Sequence, residues 1–188
     1  MDVDIERLKN DKELLQELQA KKQEALKSGD IVRLYELLDT FLLLELDEDI
    51  DTIFQKILEV AFDALANKLT QGESFDLSNE FDLNVARAVY EHALERWDSK
   101  DFKGANELFL VLSYLLDDES IKKSLLVSLG LTAQKEPLER FLDEFVDREK
   151  LSGESYFFNA LKSKADNYLK EHATLIENEL QKARNWAS

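Results

Sequence analysis

Apolar residues recur along this chain at spacings of three and four, with charged residues between them. Nowhere is there a sustained alternation of period two, so the pattern predicts helices and no strands. The first helix is expected over residues 4–28, where Leu8, Leu15, Leu18 and Ala25 form a narrow apolar stripe on an otherwise charged surface. Ser28, Gly29 and Asp30 then read as a stop, a left-handed cap and a new N-cap. A second helix is expected over 30–46. It is apolar around much of its circumference, with Leu34, Leu37, Leu38, Phe41, Leu42 and Leu44. A third, over 47–71, carries Ile50, Ile53, Phe54, Ile57, Leu58, Ala61 and Leu65 on one face.

Residues 72–79 form the main loop candidate. It separates an N-terminal helical segment, 1–71, from a C-terminal one, 79–188, within one continuous fold. Further helices are expected over 80–100, 101–116 and 117–134. Another begins at Pro137, which suits a first helical turn because its missing N–H costs nothing there. Ser152, Gly153 and Glu154 break the chain again, and a long last helix is expected from Tyr156 to about Asn185. The fold class is therefore all-α, an array of about eight antiparallel helices.

Composition supports this reading. Hydrophobic residues make up 44 % of the 188 and charged residues 34 %, which marks a folded chain with a heavily charged surface. Five glycines and one proline are too few for the turns of an all-β protein. The absence of cysteine excludes disulfides, zinc–thiolate sites and thiol nucleophiles, and suits a reducing cytoplasmic setting. The acidic N-terminus has no apolar core of the kind a secretory signal needs. The longest apolar cluster, 34–46, is too short and too charged to span a bilayer. A net charge of −16 disfavours nucleic acid and anionic membranes, and leaves a basic or apolar protein segment as the compatible partner.

Candidate chemistry is sparse. His92 and His172 each stand beside a glutamate, but no HExxH spacing or third ligand accompanies them, so both read as ordinary surface or core histidines. The acidic run 47–51 lacks the glycine that a calcium loop needs at its sharp turn. It and the run 117–119 read as helix starts, where carboxylates suit the positive dipole end. No phosphate-binding glycine loop and no Gly-x-Ser-x-Gly elbow occurs. The expectation is a protein that is not an enzyme, with no cofactor and no metal.

The helices from residue 80 onward read as consecutive hairpins with very short turns. Residues 86–118 resemble one tetratricopeptide unit. Ala93 stands where the first helix needs a small residue, Phe102, Ala105 and Phe109 match the aromatic–small–aromatic series of the second, and Leu112 and Asp117 continue it. Leu129 and Gly130 match the large–small pair opening a second unit, whose turn is shortened before Leu138 and Phe141. Within that family, residues 90–130 are similar to the class II chaperones of type III secretion systems. That resemblance implies a small acidic cytosolic protein holding a hydrophobic translocator subunit before export.

The expected role is thus a chaperone or adaptor that holds an apolar or amphipathic segment in a helical groove. Tyr90, Leu94 and Trp97 lie about one turn apart on one face, and Val127 and Leu131 on a facing helix complete the candidate partner-binding set. Against this stands plain core packing for the same rings. Tyr156, Phe157 and Phe158 cannot all face one side of a helix, so one ring must be exposed, cover a neighbouring element or meet a partner. Leu8, Leu15 and Leu18 are spaced for a helix–helix seam, in cis or in a homodimer. The alternative function is a structural protein acting by homo-oligomerisation.

Overall fold

The computed structural model describes residues 5–151 and 155–184, and these are all-α. The helices are α1 (Ile5–Lys9), α2 (Lys12–Ser28), α3 (Ile31–Leu43), α4 (Asp47–Gln71), α5 (Glu80–Asp98), α6 (Phe102–Leu115), α7 (Glu119–Ala133), α8 (Leu138–Arg140), α9 (Lys164–Glu171) and α10 (Ala173–Arg184). A π-turn, Phe141–Phe145, continues α8. Among the described residues no strand forms, and one isolated antiparallel bridge joins Val146 to Leu161.

The segments outnumber the expected eight because local capping interrupts two of the predicted helices. The first breaks at Asn10, and Asp11 becomes an N-cap whose carboxylate accepts from the N–H groups of Glu13 and Leu14. The last starts at Lys164 instead of Tyr156 and breaks again at His172. Residue 4, the predicted break at 152–154 and the predicted end at Asn185 lie outside the described residues.

Four helix ends close with a residue of positive φ and the paired backbone bonds of a Schellman motif. Gly72 ends α4, whereas Glu45, Lys100 and Lys135 end α3, α5 and α7 without a glycine. After α5, for example, Asp101 N–H donates to the Arg96 carbonyl at 2.8 Å and Lys100 N–H to that of Trp97 at 2.9 Å. Non-glycine residues in this conformation leave little trace in a sequence, yet they set the tight turns between helices.

The chain divides into two compact units, residues 1–67 with 77–88, and residues 68–76 with 89–188. Residues 77–88, which include the first half of α5, group with the first unit. In that unit Leu34, Phe41, Ile53, Ile57 and Val85 are buried. Helix α2 covers the core with Leu18 and Ala25, and Lys22 reaches Asp49 of α4 at 2.5 Å. The guanidinium of Arg87 lies 3.8 Å from the centre of the Tyr35 ring. In the second unit the core is aromatic, with Tyr90, Trp97, Phe109, Phe141 and Phe145 each no more than 1 % exposed.

Candidate functional site

The second unit holds a non-helical stretch of chain, residues 155–162, against α5, α7 and the π-turn. Helix α5 contributes Tyr90 and Trp97, two turns apart and both buried. Helix α6 presents Phe109, whose ring meets Tyr90 edge-on at 6.1 Å and Trp97 at 5.6 Å. Phe141, in the π-turn, lies 5.6 Å from Trp97. The Trp97 indole N–H donates to the Glu136 carbonyl at 2.8 Å, which ties α5 to the turn before α8.

Into this aromatic wall the stretch inserts two rings. Phe157 is buried with its centroid 5.1 Å from Tyr90, and Phe158 stands 6.5 Å from Tyr90 and 6.4 Å from Phe141. The Phe158 main chain is held at both of its polar groups. Its N–H donates to the Tyr90 hydroxyl at 3.3 Å, and its carbonyl accepts from the Ser124 hydroxyl at 2.7 Å. Burial pushes the Tyr90 phenol well above its ordinary pKa, so it remains a neutral hydroxyl. Asn159 donates to the Ser120 hydroxyl at 3.0 Å. Beyond it, Asp147 N–H donates to the Ala160 carbonyl at 2.9 Å and Lys162 N–H to that of Phe145 at 2.8 Å, closing the Val146–Leu161 bridge.

A polar stripe on α7 supports this face. Ser124, Ser128 and Thr132 lie four residues apart and are no more than 2 % exposed. Ser128 and Thr132 each donate to the carbonyl one turn earlier, at 3.0 and 2.8 Å. Asn106 of α6 donates to the Leu129 carbonyl and to the Thr132 hydroxyl at 3.1 and 3.0 Å, so the α6–α7 contact contains a fully satisfied buried amide. A row of hydroxyls at helical spacing inside an apolar helix is visible in the sequence, but its register with residues 155–162 is not.

The residues expected to bind a partner are buried, apart from Leu94. Tyr90 and Trp97 are 1 % exposed, Val127 and Leu131 are fully buried, and Leu94 is half-buried. Phe157 and Phe158 pack on Tyr90, and Phe109 and Phe141 pack on Trp97. Tyr156 keeps 43 % exposure beside its two inserted neighbours. The three adjacent rings resolve into one outward, one buried and one half-buried because the backbone bends at Tyr156 and Phe157, which turns both phenylalanines toward Tyr90 and leaves Tyr156 outside. Leu8 and Leu15 of the candidate dimer seam are half-buried, and Leu18 is 6 % exposed inside the chain's own first unit.

Gly130 has a different role from the one its place in a repeat suggests. A Cβ there would stand 2.7 Å from the Tyr168 hydroxyl, so glycine lets the tyrosine of α9 press onto α7. Tyr168 packs at 5.1 Å on Phe145, stacks at 4.2 Å on His172 and accepts from the Gln134 amide at 2.6 Å. Its phenol is pushed up to about 12, chiefly by burial.

The titratable groups that stood out in the sequence are used structurally. Asp118 caps α7 by accepting from Ile121 N–H at 2.9 Å, and Asp117 pairs with Lys122 at 2.6 Å. Ring nitrogens of His92 and His172 contact the Glu95 carboxylate and the Tyr168 carbonyl at 2.9 and 3.0 Å. Among the described residues no group of three or more His, Asp or Glu is arranged to hold a metal ion, and no helix is long and apolar enough to cross a membrane. In comparisons with protein-family models, curated proteins and solved structures, nothing matches this chain.

Proposed function

We propose that this chain is a protein-binding module, a chaperone or adaptor that holds an apolar or amphipathic segment against its helices. The observation that carries the reading is the way residues 155–162 are held. Rings enter an aromatic wall, while Tyr90 and Ser124 hydrogen-bond to main chain. Main-chain bonds give affinity without demanding a sequence, and the wall selects what side chain may enter. A net charge of −16 adds a preference for basic or neutral segments over acidic ones. The narrower reading, a secretion chaperone with tetratricopeptide-like hairpins, rests on the resemblance of residues 86–130 alone.

The test is a binding screen of the full chain against immobilised peptides of apolar, amphipathic basic and amphipathic acidic character. Micromolar binding to apolar and basic members, with acidic ones excluded, is the expected result. Binding to none of them, together with concentration-dependent self-association in sedimentation, would transfer the assignment to a homo-oligomeric structural protein.

A further inference from the structure

Residues 155–162 have the form of a bound ligand. They lie between the π-turn and α9 without forming a helix, bend at Tyr156 and Phe157, and meet the helices through two inserted rings and through side-chain hydrogen bonds to the Phe158 backbone. An ordinary core helix contributes side chains and keeps its main-chain bonds to itself. Here the scaffold supplies those of Phe158, while Ser155 serves the Phe157 main chain from within the segment. Tyr90 and Ser124 are each 1 % exposed, and each offers its hydroxyl to Phe158. Withdrawing the segment would leave these hydroxyls without those bonds and bare the rings of Tyr90 and Phe141, so the site has a use for an occupant of the same form.

Resting on the protein-binding reading above, we propose that residues 155–162 are the resident occupant of the binding groove, and that the partner is a non-helical segment carrying two adjacent aromatic residues that takes their place. The first ring enters beside Tyr90 as Phe157 does. The second lies between Tyr90 and Phe141 as Phe158 does, and its main chain takes the bonds of Tyr90 and Ser124. The Asn159–Ser120 contact is at the exposed end of the groove, where exchange begins. A tethered occupant competes at an effective concentration in the millimolar range. The intact chain therefore binds a free segment weakly, and removing the resident rings exposes the intrinsic affinity.

The probe is a fluorescein-labelled peptide with the sequence of residues 155–162, read by fluorescence anisotropy on the full chain. A control peptide carries alanine at the two phenylalanine positions. The chain with Phe157→Ala and Phe158→Ala should bind the probe at least about tenfold more tightly than the unaltered chain, because the competing state is weakened. The control peptide should bind neither. Because that double variant can lose its fold, a second arm leaves both rings in place. Ser120→Cys and Asn159→Cys, the chain's only cysteines, are joined by a short bis-maleimide that pins the segment. Linking should weaken probe binding at least about tenfold relative to the same protein unlinked. Equal binding before and after linking, equal binding of the control peptide, or no binding to the unlinked protein each overturns the proposal. If the linked chain still binds members of the peptide screen, the module reading survives and only this groove is lost.

Discussion

Trp97 shows how one side chain can serve two readings until its surroundings are known. The ring is 1 % exposed, packs on Phe109 and Phe141, and donates its N–H to a carbonyl 39 residues away. Trp97→Ala should therefore cost about 3–5 kcal/mol of stability, read as a lowered urea midpoint at unchanged slope. A variant that melts like the parent would show the ring to be dispensable to the core. Gly130 makes the opposite case, since the wanted feature is an absent side chain. Gly130→Ala gains up to about 1 kcal/mol of helix propensity. It also drives a methyl group onto Tyr168, which Phe145, His172 and Gln134 hold from other sides. Overpacking of this kind costs about 1–3 kcal/mol, so the net effect should be destabilising by about 1–2 kcal/mol in the same melt. A stabilised variant would mean that the ring moves aside freely.

At the scale of elements, α2 is fastened to α4 by an ion pair. Lys22 is 7 % exposed, and its ammonium meets the Asp49 carboxylate at 2.5 Å, with Gln19 donating to the other carboxylate oxygen at 2.5 Å. The hydrogen bond from Lys22 holds the Asp49 carboxyl below its ordinary pKa, assisted by Gln19 and opposed by burial. A depressed folded-state value contributes stability that is fully present above the ordinary aspartate range. That contribution is lost as pH falls through the folded value, in a window below about pH 4. Lys22→Met keeps the packing and removes the cation. It should cost roughly 1–3 kcal/mol at pH 7, and the variant's stability should fall less steeply than the parent's between pH 5 and 2, ranges on the order expected for a charged hydrogen bond and a carboxyl titration. Parallel pH profiles for the two proteins would exclude the pair as a source of acid sensitivity.

On the scale of the whole molecule, the narrow stripe of α2 is used within the chain. Leu18 and Ala25 are 6 % and 1 % exposed, and α2 packs on α3. The seam read from Leu8, Leu15 and Leu18 therefore has its most buried member already committed in cis. Removing residues 1–27 should bare apolar surface on the first unit and cost at least about 3 kcal/mol, the transfer energy of the lost side chains and of those they cover. Circular dichroism should show more helix lost than the deleted residues supply. The full chain, repelled from its own copies by a charge of −16, should sediment as a 21.8 kDa species. A species of twice that mass at high micromolar concentration would restore the dimer seam through the half-buried Leu8 and Leu15.

What the sequence by itself determined is what short-range physics decides. Apolar spacing of three and four placed α3 to α7 within a few residues. Asp30 and Gly29 marked a cap and a stop because the groups they satisfy lie within one turn of them. The all-α class followed from the same periodicity. Tertiary structure decided the stretch 155–163. It contains no proline or glycine, so a local reading extends the last helix back to Tyr156. In the fold, Phe145, Tyr90 and Ser124 supply hydrogen-bond partners from elsewhere in the chain, and the aromatic wall takes the rings. A helix of those residues would meet these needs with its own backbone and would leave the wall uncovered. Periodicity likewise put Tyr90, Leu94 and Trp97 on one face of α5. It carried no information about what covers that face, because Tyr90 is met by a residue 68 positions later and Trp97 by Glu136 and Phe141.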